Sequence, residues 1–183
     1  MVLVLGGAAG CSSGDAGAGA SVPQYSADDD GSGGGASAGA SGAASGSAAP
    51  TALTWAPQDV TPEGLSNPDT EYTVVSIPDG LDDAGKEVVA AYVAYDRSTW
   101  EAYRAMDGDL SRVEASTTGD LLASYKSSYE SYQTNGWHME GQYSMTVQGV
   151  KISDAKGDEA SLVVLNDHRG SRTVTDSGED AGR

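Results

Sequence analysis

The residues best suited to chemistry are an acid and several phenols within one helical pattern. Asp96 lies among Tyr92, Tyr95 and Tyr103. A carboxylate accepts protons or hydrogen bonds, and a phenol hydroxyl donates one. Together these four residues make the candidate pocket of the chain. The plainer reading is a solvated Asp96 paired with nearby Arg97 or Trp100. Other candidates are weaker. His138, Glu140, Asp167 and His168 could be drawn as a metal site, but a catalytic zinc site needs three ligands on rigid elements, usually at a spacing such as His-x-x-x-His. Nothing here has that spacing, and His138 is expected in a loop beside Trp137. Asp107-Gly108-Asp109 lacks the full spacing of a calcium loop and reads as a helix-ending turn. Asp28-Asp29-Asp30 reads as a solvated charge run. Trp55, Trp100 and Trp137 have the amphipathic character that suits a glycan surface. Nucleophile-elbow, phosphate-cradling and dinucleotide motifs are absent from the sequence. No catalytic residue, metal or cofactor is assigned.

These candidates depend on the elements that position them. Val88, Tyr92, Tyr95, Thr99, Tyr103 and Met106 recur at spacings of three and four, widened by Val89, Val93 and Trp100, and predict a helix over 84–106. Asp82 or Asp83 is expected to cap it, and Asp107-Gly108 to end it. A short turn of helix is expected after Ser111. A second helix is predicted over 118–134, with Leu121, Leu122, Tyr125, Tyr129 and Tyr132 as its stripe and Asn135-Gly136 as its stop. Capping-box spacings occur at Ser111/Glu114 and Thr117/Asp120.

Tyr72–Ile77 reads as a strand. Tyr143, Met145 and Val147 alternate with polar residues, and the phase switches at Gly149, which signals a bulge. Residues 159–166 read as the return strand, and Arg172–Thr175 as the start of a third. The fold class is therefore α+β, with two main helices packed on a curved antiparallel sheet. Two convincing strands leave an open edge, so one or more C-terminal strands are expected to be missing.

Composition bounds the partners. The net charge is −17, from 27 acids against 10 Lys and Arg. Such a surface repels phosphate backbones and excludes nucleic acid as a natural partner. The single cysteine excludes an internal disulfide. Aromatic residues, which are nine Tyr and three Trp with no Phe, concentrate after residue 51, where the core must lie. Residues 12–50 are a different material: thirty of the 39 are Gly, Ala or Ser. They cannot bury enough to offset ordering entropy, so a disordered tether is expected. Residues 51–83, with Pro57, Pro62 and Pro68, read as an extended or turn-rich lead-in to a domain over 84–183.

The first eleven residues run from apolar Met1–Leu5 through small residues to Cys11. Ala8-Ala9-Gly10-Cys11 resembles the lipobox of bacterial lipoproteins, with Ala8 where Leu is usual. The resemblance implies a signal-peptide remnant over 1–11 and a diacylglyceryl group on Cys11. Two acyl chains anchor stably where one does so only marginally. The exported, tethered arrangement of helices followed by strands is similar to actinobacterial lipoproteins with an NTF2-like (cystatin-like) cone. In many of these a Cys-x-Asp motif ends the second long strand; here Leu165-Asn166-Asp167 keeps the Asp alone. The resemblance implies a lipid-anchored protein on the extracellular face of a cell membrane. Its domain is expected to have a non-enzymatic binding or scaffold role, and its partners to be the bilayer and peptidoglycan or an envelope protein. The alternative is a small-molecule-binding or isomerase/dehydratase-like pocket. In such enzymes an acid and a tyrosine share an apolar pocket, with a desolvated Asp as general base; here that acid is Asp96.

Overall fold

A computed structural model describes residues 2–5 (backbone), 51–153 and 159–182 of this chain. The candidate lipidation residue Cys11 and the expected tether, residues 12–50, lie outside the described residues. The predicted stripe over 84–106 becomes helix α2 (Asp83–Ala105). Asp82 caps it, its side chain accepting the Gly85 N–H at 2.8 Å. Met106 closes it in the left-handed region, with φ 45°. Its buried face carries Val88, Val89, Tyr92, Val93 and Trp100.

Two shorter helices follow, α3 (Ser111–Ser116) and α4 (Gly119–Asn135). The expected capping boxes do not operate. The caps are Leu110 and Thr118, and neither makes a side-chain capping bond. Thr117 is instead the extended residue that ends α3. Ser111 is drawn into the preceding turn, its N–H donating to Asp109 at 2.9 Å. Gly136 stops α4 as expected, with φ 62° and its N–H on the carbonyls of Tyr132 and Gln133.

The main sheet has the order β1-β5-β4-β2, formed by Val2–Leu5, Glu159–Asp167, Tyr143–Ile152 and Tyr72–Ser76. The run expected as a leader remnant is thus β1, parallel to β5. Strands β4 and β5 are antiparallel, and their register shifts between Val147 and Gly149, where the phase switch lies. Strand β2 joins β4 in parallel, Tyr72 opposite Tyr143 and Val74 opposite Met145. The expectation of a purely antiparallel sheet is corrected here. Three helices intervene between β2 and β4, and that long crossover lets the two strands run the same way.

A second correction concerns Trp137–Gly141. These residues form β3, not a loop, and pair antiparallel with β6 (Ser171–Thr175). The segment lacks clean apolar alternation, and all five residues are half-buried. Gly141, with φ +85°, breaks the path between β3 and β4; a Cβ there would overlap the Gly170 carbonyl oxygen.

Residues 51–71, ahead of β2, take the turn-rich form of the expected lead-in. They form α1 (Pro62–Leu65) flanked by 3-10 turns at Pro57–Asp59 and Pro68–Thr70. Each begins with proline, whose fixed φ suits a first helical position. Thr61 caps α1, and Asn67 caps the Pro68–Thr70 turn. Val60, Leu65, Tyr72 and Val74 enter the same core as α2. Leu65, Val89 and Val93 are fully buried there, and each such side chain contributes about 1.5–3 kcal/mol relative to exposure. A second core gathers Ala102, Val113, Tyr125 and Tyr129 between the helices.

Candidate functional site

Helix α2 sets Tyr92, Asp96 and Trp100 on successive turns facing the sheet. The parallel pairing of β2 with β4 sets Tyr72 beside Tyr143 on the opposing surface. Three of these residues, Tyr72, Tyr92 and Tyr143, meet at the Asp96 carboxyl. Tyr72 donates to Oδ2 at 2.8 Å. Tyr143 lies 2.9 Å from Oδ2 and 3.0 Å from Oδ1. Tyr92 donates to Oδ1 at a longer 3.4 Å. Tyr143 is held between stacked rings, Tyr72 at 5.3 Å and Trp100 at 5.2 Å. Trp100 is itself fixed by its indole N–H on the Thr70 carbonyl at 2.7 Å.

Asp96 is set deep in packed protein, while part of its surface opens on a cavity. Burial pushes its carboxyl above the ordinary value of 3.8. The hydroxyls of Tyr72 and Tyr143, the charge of His168 and the hydroxyl of Tyr92 pull it back, in that order. Burial also drives Tyr72, Tyr92 and Tyr143 upward, and the adjacent Asp96 charge adds to the rise. These phenols therefore remain donors.

The cavity encloses about 360 Å3 between α2, α4 and the strands. Asp96, Tyr103, Tyr132, Met139, Tyr143 and His168 are among its walls. His168, exposed in the β5–β6 turn, leans on Tyr143 with ring centres 4.7 Å apart. Tyr103 packs on Tyr132 at 4.6 Å, and its hydroxyl is pushed up to about 12, chiefly by burial. A larger cavity of about 630 Å3 lies elsewhere, between the Trp55 segment and the alanine face of α2. Its floor is Ala90, Ala91 and Ala94, and its polar lining of Thr54, Asp83, Glu87 and Ser116 has no acid gathered by several hydroxyls. The smaller cavity, with the acid, is the candidate site.

Of the four pocket residues expected from sequence, the structure brings Tyr92 to Asp96 and sets Tyr103 in the cavity wall. Tyr95 makes no hydrogen bond to Asp96 and does not line the cavity, although the Asp96 charge adds to the rise that burial gives its hydroxyl. The solvated reading of Asp96 fails: Arg97 pairs with Glu101 at 2.8 Å instead. Sequence reasoning missed Tyr72 and Tyr143. Both sit at the first position of a strand, and only the long-range register shows that they are neighbours.

The drawn metal set comes apart. His138 faces Glu140 at 3.4 Å, Asp167 is bound by Arg169 at 2.6 Å, and His168 stacks on Tyr143. Among the described residues, no group of three or more His, Cys, Asp or Glu is arranged to hold a metal ion. Asp107 and Asp109 accept backbone N–H groups two residues on, as a turn requires. The tryptophans are dispersed. Trp100 is 5% exposed and closed to any glycan. Trp55 bonds the Gly64 carbonyl, and Trp137 packs edge-on against Tyr132.

Fold and site together define an α+β domain with an acid and its phenol donors at the wall of an aromatic cavity. No family model, curated protein or solved structure matches the chain.

Proposed function

We propose that this chain is a lipid-anchored protein of the outer face of a cell membrane, and that its α+β domain binds a small molecule in the Asp96 cavity without transforming it. One observation carries the binding reading: a deep carboxyl, fixed by three tyrosine hydroxyls, opens on a cavity of the size small ligands use. The long helix laid over a sheet with this cavity between them supports the NTF2-like shape. The lipobox-like Ala8-Ala9-Gly10-Cys11 supports the anchor. No helix among the described residues is long and apolar enough to cross a membrane. Processing before Cys11 would remove β1, but the site stands on β2, β4 and α2 and does not use it.

A second reading, an isomerase- or dehydratase-like enzyme with Asp96 as base, draws on the upward shift of that carboxyl. The hydroxyl contacts disfavour it. They occupy acceptor positions on both oxygens that a base must keep free.

The binding reading is tested by screening neutral and charged fragments by NMR against the whole chain and against Ser128→Trp. Ser128 is exposed on α4 and lines the cavity, so tryptophan there plugs it. Fragments that shift Tyr132 and His168 signals in the wild type and lose this in the plugged variant support the reading. A cavity that answers to no fragment ends it. The anchor is tested by labelling with clickable palmitate in a bacterial host. Cys11→Ser should lose both label and membrane retention; an unlabelled wild type removes the anchor.

A further inference from the structure

We infer that the ligand of this cavity is a small organic cation, an alkylammonium or quaternary ammonium compound whose charged head sits beside Asp96. This deepens the binding reading above and rests on it. The argument begins with a missing counter-charge. A carboxylate withdrawn from water needs compensation by charge as well as by hydrogen bonds. The tyrosines give Asp96 hydrogen bonds but no positive charge. The arginines on the same helix are committed elsewhere. Arg97 is bound to Glu101 at 2.8 Å. Arg104 is bound to Glu71 at 3.1 Å and to the Gly141 carbonyl at 2.8 Å, its guanidinium over the Trp100 ring at 5.5 Å. His168 reaches Asp96 electrostatically but is stacked on Tyr143 at the exposed rim, and makes no hydrogen bond to the carboxyl.

The walls have the matching character. Tyr103 and Tyr132 bring aromatic rings to the cavity wall that Asp96 shares, and Met139 a polarisable sulfur. Aromatic faces attract a cation without the desolvation cost that an added carboxylate would bring, which is how ammonium groups are caged. The net charge of −17 raises the local concentration of cations and lowers that of anions. A neutral ligand would use the apolar walls and leave the acid's charge unanswered. An anion would meet Asp96 directly.

The test is calorimetric titration of the whole chain with three probes of one shape: choline, its uncharged isostere neopentylcarbinol, and the anion tert-butylacetate. Choline should bind at least about tenfold more tightly than the alcohol, and the anion not at all. Asp96→Asn should abolish the preference for choline over the alcohol. Should Asp96→Asn not fold, Ser128→Trp, which leaves the acid cluster untouched, should lose choline binding with an unchanged circular dichroism spectrum. Equal binding of choline and the alcohol, or preference for the anion, overturns the cation inference and leaves the binding reading standing. Silence from all three probes also overturns it, and the fragment screen then decides the binding reading separately.

Discussion

Two tyrosine clusters share helix α2, and they use the same side chain differently. On the sheet side, Tyr72, Tyr92 and Tyr143 point their hydroxyls inward to one carboxyl. On the α4 side, Tyr103, Tyr125, Tyr129 and Tyr132 pack ring against ring, and none of their hydroxyls bonds a carboxyl. There the hydroxyls go to separate partners. Tyr129 accepts the Gly108 N–H at 3.0 Å, and Tyr125 reaches the Thr99 carbonyl at a long 3.5 Å. The contrast shows that Tyr at helical spacing carries no function by itself. An acid at the focus turns packing into a site.

The comparison can be broken by substitution. The largest effect is expected where a ring is lost from the acid-free cluster. Tyr129 is 2% exposed, so Tyr129→Ala should cost about 3–5 kcal/mol in chemical denaturation. Removing only a hydroxyl separates the clusters more sharply. Tyr143→Phe takes a donor from the half-buried Asp96 carboxyl and should cost about 1.5–3 kcal/mol. Tyr125→Phe removes a marginal bond and should cost less than about 0.5 kcal/mol. Equal costs for the two Phe variants would erase the distinction drawn here.

The subtlest test uses pH. The folded Asp96 carboxyl titrates above its ordinary 3.8, so between the two values the folded state binds more protons than the unfolded chain. This group's contribution therefore turns unfavourable as pH rises through that window. The groups facing it are Tyr72, Tyr92, Tyr95, Tyr143 and His168. The stability of the wild type relative to Asp96→Asn should fall between pH about 4 and neutrality. A flat difference across that range would mean that the hydroxyls fully offset burial.

Local pattern made much of this molecule legible. The stripe from Val88 to Met106 located α2 to within a residue at each end, and the phase switch at Gly149 located the bulge. Both are short-range signals, repeated every turn or every second residue. The parallel register of β2 on β4 leaves no such trace, because it is decided by the crossover between them. Two of the acid's three hydroxyl partners were therefore hidden, while Tyr92 and Asp96, one turn apart, were visible. Strand β3 escaped for a different reason: Trp137–Gly141 is half-buried on both faces and does not alternate.

The parallel partnership of Tyr72 with Tyr143 also has a consequence for the timing of folding. Tyr72 and its contact Met145 are separated by 73 positions along the chain, against 24 from Tyr72 to Asp96. Contacts of such long range pay their loop-closure entropy before they return any energy, and they slow folding accordingly. Helix α2 with Tyr92 and Asp96 can organise early, but Tyr143 joins only when β4 docks. A complete ring of hydroxyls around Asp96 thus marks the end of folding, and the cavity becomes competent for a ligand only at that late step.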